Sequence, residues 1–362
     1  MKPGANDVPP PFDLGGRLVE LCAPLSVTGR EAELADALQL RFAGHPVRRV
    51  GDSLVVGAPS ERPLVALVGH LDVVPPTEAD AQPRVEQRRE GPVVVGRGAS
   101  DMKGGLVVAE ALFIDAPLRA SSPYELVLVL YAGEEGPADA NELGAVLAAV
   151  DWLTSAQLAV VLEPTDLEVH LGCLGSIHAE LRFTGRQTHS ARPWHGQNAL
   201  TRAGALLAEL HELQPVEVDV DGVRFRNVLT ATQARTRNAR NVVPGEFIVN
   251  VNYRFAPDRT LAEAEDELRA WVDRRAEVSV VDRAPAAAPR LDAPLVGALI
   301  DHLGAPVAAK QAWTDVARFA AHGVPAVNYG PGLTSQAHQE GEWVPIANLL
   351  EVHARLRRFL AR

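Results

Sequence analysis

The feature that most constrains this chain is a junction it repeats: a short, wholly apolar run that breaks at once into an acid or a histidine. The first is Leu64-Val-Ala-Leu-Val-Gly-His70-Leu-Asp72-Val-Val, bounded by Pro63 and Pro75. An apolar run of this length between prolines reads as a strand buried on both faces, the kind found inside parallel sheets. Leu126-Val-Leu-Val-Leu-Tyr131 repeats the pattern and exits into Ala-Gly-Glu134-Glu135-Gly, and Leu158-Ala-Val-Val-Leu162 exits into Glu163-Pro164. Helical segments separate the runs, so the alternation argues for a parallel α/β sheet. Such sheets take their ligands beyond the carboxyl ends of the strands.

Taken in order, residues 13–43 read as helix with a break at Thr28-Gly29, 53–56 as a short strand, and 75–95 as an irregular or hairpin segment. The glycine-rich turn over 96–105 leads into a helix at 106–114. At about residue 174 the texture changes. Strand 176–183, helix 198–213, strands 228–235 and 246–255, helix 261–275 and strand 277–281 follow the β-α-β-β-α-β order of a ferredoxin-like unit. An Ala/Pro linker over 284–289 ends it, and the α/β texture returns with helices 295–303 and 314–321, strand 326–329 and helix 346–360. The expected architecture is therefore α/β: a mostly parallel-sheet domain built from 13–173 and 285–362, with a ferredoxin-like α+β domain inserted at 174–284. Residues 1–12 are Pro-rich, lack an apolar signal core, and read as a loose tail.

Charge and cysteine content narrow the function classes. A formal net charge of -11, from 35 basic and 46 acidic residues, argues against a nucleic-acid or anionic-membrane binder. No apolar stretch is long enough to span a bilayer. Two cysteines, Cys22 and Cys173, imply no disulfide framework, and a reducing cytoplasm is the simplest compartment.

The polar exits carry the chemistry. His70 and Asp72 suit a metal ligand with an orienting carboxylate, or equally a buried histidine satisfied by a neighbouring acid. Glu134, Glu135 and Glu163 would crowd one sheet edge and repel each other unless a cation neutralised them. Asp101 opens a helix, where a carboxylate is ordinary as a cap, but in this company it reads as a ligand. His338, in the loop after strand 326–329, is the candidate for a late ligand. Two histidines with three or four carboxylates suit zinc first, with cobalt or manganese as alternatives. Two cations bridged by one carboxylate would hold an acidic water between them. Of the adjacent Glu134 and Glu135, one can bind metal while the other serves as general base.

His70-Leu-Asp72, Gly98-Ala-Ser-Asp101-Met-Lys-Gly-Gly, Gly133-Glu134-Glu135-Gly, Glu163-Pro164 and Ala337-His338 together resemble the motifs of the dinuclear metallo-aminoacylase and carboxypeptidase family, the M20 type. The resemblance runs from about residue 14 to the end. It implies two divalent metal ions per chain, with His70 and Glu163 on one, Glu135 and His338 on the other, and Asp101 bridging. It implies further that Asp72 steers His70 and that Glu134 is the base. The inserted domain would dimerise, with His189 reaching the partner's active site to stabilise the oxyanion. Arg254 and Asn241 resemble a substrate-binding pair. Arg254 suits a bidentate carboxylate clamp, or else a rim salt bridge. Arg192, Thr314 and Arg318 are further substrate-binding candidates, while Thr334 stands where an amide side chain is common. The activity implied is hydrolysis of an acylated amino acid, N-succinyl-LL-2,6-diaminopimelate, to succinate and LL-2,6-diaminopimelate. The alternatives are acetylornithine deacetylation, a related carboxypeptidase or aminoacylase activity, and a non-catalytic binding protein on the same scaffold.

Overall fold

A computed structural model describes residues 12–362. The expected loose tail therefore lies outside the described residues, except for Phe12, which packs against the core.

The larger part of the chain is built on an eight-stranded mixed sheet. Across it run Val47–Val50, Ser53–Val56, Glu125–Tyr131, Leu64–His70, Leu158–Val161, Ala326–Asn328, Val169–Leu171 and Val307–Ala309. The three apolar runs lie side by side and parallel at its centre, buried throughout. Val65 and Leu67 enter one core, together with residues of helices Leu14–Cys22, Gly104–Ile114 and Ile346–Leu360. Ala66 and Val68 enter a second core, with helices Leu143–Ala149 and Val316–Ala321. Two covered faces are why these runs show no polar alternation.

The sheet is less parallel than expected, since four of its seven neighbouring pairs are parallel and three are not. Connection length is the reason. Val47–Val50 and Ser53–Val56 are joined by a tight turn with Gly51 at φ 61°, which can only return the chain antiparallel. Residues 162–168 are too few for a crossover helix, and the chain doubles back through Asp166 and Leu167, both at positive φ. Strands of three or four residues, such as Val169–Leu171 and Val307–Ala309, carry no periodic signal, and the sequence reading passed over them.

Two packing details position the polar exits. Helix Gly104–Ile114 crosses the sheet so closely that a Cβ on Gly105 would lie 2.4 Å from the Leu162 carbonyl oxygen. The turn before that helix is thus held against the strand that ends in Glu163. A small sheet of Arg84–Arg88, Gly91–Val95 and Trp343–Pro345 makes part of the irregular 75–95 stretch a hairpin. Its third strand brings Glu342 beside the turn at 96–101.

Between Cys173 and Ala287 the chain forms a separate five-stranded antiparallel sheet. Its order is Val216–Val220, Val223–Arg235, Glu246–Phe255, Gly175–Thr184, Glu277–Ala284. One face carries helices Gly204–Glu212 and Leu261–Val272 over a core that includes Ile177, Leu181, Phe247, Val251 and Leu268. Thr260 and Glu263 close a capping box on the second helix, as Thr-x-x-Glu before an apolar face predicts. The edge strand Val216–Val220 was not anticipated.

Candidate metal centre

Parallel register gathers the site. His70 pairs with Tyr131, and Val68 with Val161, so the chains that continue into Glu134, Glu135 and Glu163 leave the sheet at one edge. Asp101 comes from the turn before helix Gly104–Ile114, and His338 from the loop after Ala326–Asn328. Donor atoms of His70, Asp101 and Glu163 all lie within 4.8 Å of one another, as do those of Asp101, Glu135 and His338. The two groups share Asp101. Glu134 joins a third such group with His70 and Glu135.

The histidines are presented as ligands. His70 is fully buried, and its Nδ1 donates to the Asp72 main-chain carbonyl at 2.9 Å. A carbonyl can only accept, so in the neutral ring the proton sits on Nδ1 and Nε2 is the nitrogen left to meet a cation. Nε2 lies 3.3 Å from Asp101 Oδ1 and 3.9 Å from Glu163 Oε1. His338, at φ 61°, places Nε2 2.8 Å from Glu135 Oε2 and 3.8 Å from Asp101 Oδ2.

Asp72 works differently from the expectation. Its carboxylate stands 3.7 Å from His70 Nδ1, so it is the main-chain oxygen that steers the ring. The carboxylate instead accepts the N–H groups of Glu134 and Glu135, at 3.0 and 2.9 Å, and the Thr28 hydroxyl at 3.0 Å. One acid thereby sets the turn that carries both the candidate base and a candidate ligand.

The electrostatics call for cations. Burial pushes Glu163 up to about 7 despite the Lys310 ammonium beside it, with Asp101 adding to the rise. Burial likewise holds Glu134 well above the usual carboxylate range, with Glu163, Asp315 and Glu135 raising it further and His70 opposing. Burial works against a proton on His70, yet Asp101, Glu134 and Asp72 hold its pKa well above the ordinary value. Glu163 Oε1 is buried without a hydrogen-bond partner. An orphaned carboxylate oxygen amid mutually repelling acids and two imidazoles is a donor set that fits divalent metal ions.

A cavity of about 620 Å³ opens on this cluster, lined also by Arg254, Thr314, Thr334, His170 and Lys310. Arg254 and Thr314 thus line the cavity, and the Thr314 hydroxyl donates to Asn328 at 2.9 Å. Arg318 is held by Asp315 at 2.8 Å and by the Ala138 carbonyl, away from the cavity. Thr334 pairs with Asp166. His189, Arg192 and Asn241 are not brought to the cluster. They lie exposed on the inserted unit, where His189 pairs with Val242 and its Nδ1 accepts the Ala191 N–H at 3.1 Å.

Sequence reasoning missed Glu342 and Lys310. Glu342 is buried and accepts the N–H groups of Gly98, Ser100 and Asp101 at 2.8–2.9 Å and Arg97 at 3.0 Å. A single acid in a loop gives no local signal for that role. Lys310 follows the apolar Val307–Ala309, so the strand-exit rule would have found it had that strand been recognised.

The profile of peptidase family M20/M25/M40 matches residues 66–362. The chain belongs to this family. Among its M20 relatives is a Mycobacterium tuberculosis protein provisionally named succinyl-diaminopimelate desuccinylase DapE. It is 38% identical over 361 residues, covering 96% of this chain and 99% of its own. The succinyl-diaminopimelate desuccinylase of Corynebacterium glutamicum is 33% identical over 375 residues, covering 100% and 99%. In fold, a tripeptidase from Staphylococcus aureus superposes with a TM-score of 0.77 at 19% identity, over 96% of this chain and 97% of that one. A dinuclear metal-binding M20 peptidase from Bacillus subtilis gives 0.68 at 14% identity, over 96% and 98%. Membership and donor set together make this chain a metal-dependent amide hydrolase.

Proposed function

We propose that the chain hydrolyses N-succinyl-LL-2,6-diaminopimelate to succinate and LL-2,6-diaminopimelate, with two zinc ions per chain. The observation that carries the reading is the pair of donor triads meeting at Asp101 with Glu134 beside them. The desuccinylases of similar sequence support the substrate. His70 and Glu163 would hold one cation, Glu135 and His338 the other, with Asp101 between. When bound, the metals polarise the scissile carbonyl and acidify a shared water.

The chain's own residues do the rest. Glu134 takes the water's proton on its carboxylate and delivers it to the leaving amine. Asp72 keeps Glu134 and Glu135 in register through their N–H groups. Arg254 clamps a substrate carboxylate. Residues 13–173 and 285–362 would form the catalytic domain, and 174–284 a dimerisation domain. In a homodimer the exposed His189 would donate to the oxyanion across the interface, with Asn241 and Arg192 contacting substrate from the same loop cluster. Two buried free cysteines and the acidic net charge fit a cytoplasmic enzyme with no nucleic-acid or membrane partner, and no described helix is long and apolar enough to cross a membrane.

The test is turnover of N-succinyl-LL-2,6-diaminopimelate against N-acetylornithine by the zinc-loaded protein, read as amine release. The succinyl substrate should be hydrolysed faster; the reverse order overturns the substrate. Glu134→Gln should cut kcat by about 10²–10⁴-fold with metal content unchanged, and undiminished turnover would remove Glu134 as base.

A further inference from the structure

Lys310 is an unexplained cation in the wall of the active cavity. It is 6% exposed and lines the same cavity as Glu134 and Glu163. Its ammonium donates one hydrogen bond, to the Pro164 carbonyl at 3.0 Å, and stands 3.5 Å from Glu163 Oε2. An ammonium has three donors, so two lack a hydrogen-bond partner among the described residues. Its influence reaches His170 on the adjacent strand, where burial and then Lys310 push the imidazole pKa down to about 4. Arg254, in the same cavity, forms no ion pair among the described residues, its Nε donating to Asn252 Oδ1 at 2.7 Å. The cavity thus carries two under-paired cations on top of its metal donors.

Glu163 balances Lys310 only while its charge is free. Once Glu163 serves as a ligand, that charge is shared with the metal, and a nearly buried ammonium is left without a full counter-charge. We propose that Lys310 is a specificity-determining residue that binds a carboxylate of the substrate a few bonds from the scissile carbonyl. This rests on the hydrolase reading above and deepens it. Two carboxylates have that reach, the far end of the succinyl chain and the α-carboxylate of the amine part. Arg254 takes the other anionic end of the substrate.

The experiment uses the metal-loaded full chain and Lys310→Gln, with Lys310→Met in its place should the glutamine variant not fold. Succinate and LL-2,6-diaminopimelate binding are measured by calorimetry, metal per chain is counted, and kcat and KM are compared on N-succinyl- and N-acetyl-diaminopimelate. Loss of a charge-assisted hydrogen bond should weaken binding of one product and raise KM by about 10- to 100-fold. Metal content and kcat should change little, and Lys310→Arg should restore part of the affinity. A loss confined to succinate and the succinyl substrate assigns the acyl carboxylate. Equal losses on both substrates, with weaker diaminopimelate binding, assign the amine part. Falling metal content or kcat with product binding intact would overturn the proposal, leaving Lys310 as a counter-charge for Glu163. Should the wild type hydrolyse neither substrate, the substrate reading fails by itself. The calorimetry still decides the subsite, since product binding lost in the variant supports it and absence of binding to the wild type sinks it.

Discussion

The two donor triads share Asp101 but are built from different material. His70 ends a central strand and is fully buried, with its ring orientation set by the Asp72 carbonyl. His338 sits on a loop, its side chain 54% exposed, and no described hydrogen bond reaches its second ring nitrogen. Glu163 follows a buried strand, while Glu135 rides on a turn pinned by Asp72. A ligand set already held in position loses little conformational entropy when a cation arrives, whereas a loop histidine must be ordered first. The comparison therefore predicts one tight and one weaker metal site.

The largest effect should come from the residue the triads share. Asp101→Ala is expected to abolish binding of both cations and to lower kcat/KM by about three orders of magnitude or more. Retention of one tightly held metal would show that the triads do not depend on a common bridge. Next come the histidines taken separately. His70→Ala should lose the tight metal and also destabilise the fold by about 2–4 kcal/mol, because it empties a buried position and strips the surrounding acids of their partner. His338→Ala should lose only the weaker metal, with stability within about 0.5 kcal/mol of the wild type. Chelator titration followed by thermal unfolding reads both, and equal metal affinities in the wild type would erase the distinction.

Smaller effects belong to the residues behind the ligands. Glu342 holds the turn of Asp101 through three N–H groups, so Glu342→Gln should weaken metal binding about 10- to 100-fold with the fold intact. Calorimetric titration with zinc would show whether both sites weaken, as a shared Asp101 requires. Thr28→Val removes one hydrogen bond to Asp72, worth about 0.5–1.5 kcal/mol. It should lower kcat a few-fold and leave the tight site almost untouched, since that site does not include Glu135.

What could be read beforehand follows the same division. His70, Glu134, Glu135 and Glu163 were legible because each leaves an apolar run whose burial is written in its composition. Asp101 and His338 were legible only in that company, since neither a helix-opening aspartate nor a loop histidine carries a local signal of ligation. Glu342 and Lys310 escaped, one lying in a loop and the other after a strand of three residues. The role of the Asp72 carboxylate escaped as well, because spacing in sequence shows that two side chains are near but not which atom of each does the work.

Sequence alone determined which strands are buried on both faces, and therefore that their polar exits meet at one sheet edge. That follows from solvation: a strand of five or six consecutive apolar residues has no stable place except between two covered faces. Tertiary structure decided how much of the sheet is parallel, which carboxylate bridges the two triads and which main-chain groups hold them, and that Lys310 faces the same cavity. Those outcomes depend on loop lengths and on hydrogen bonds between residues as far as 262 positions apart, where distance along the chain says nothing about distance in space.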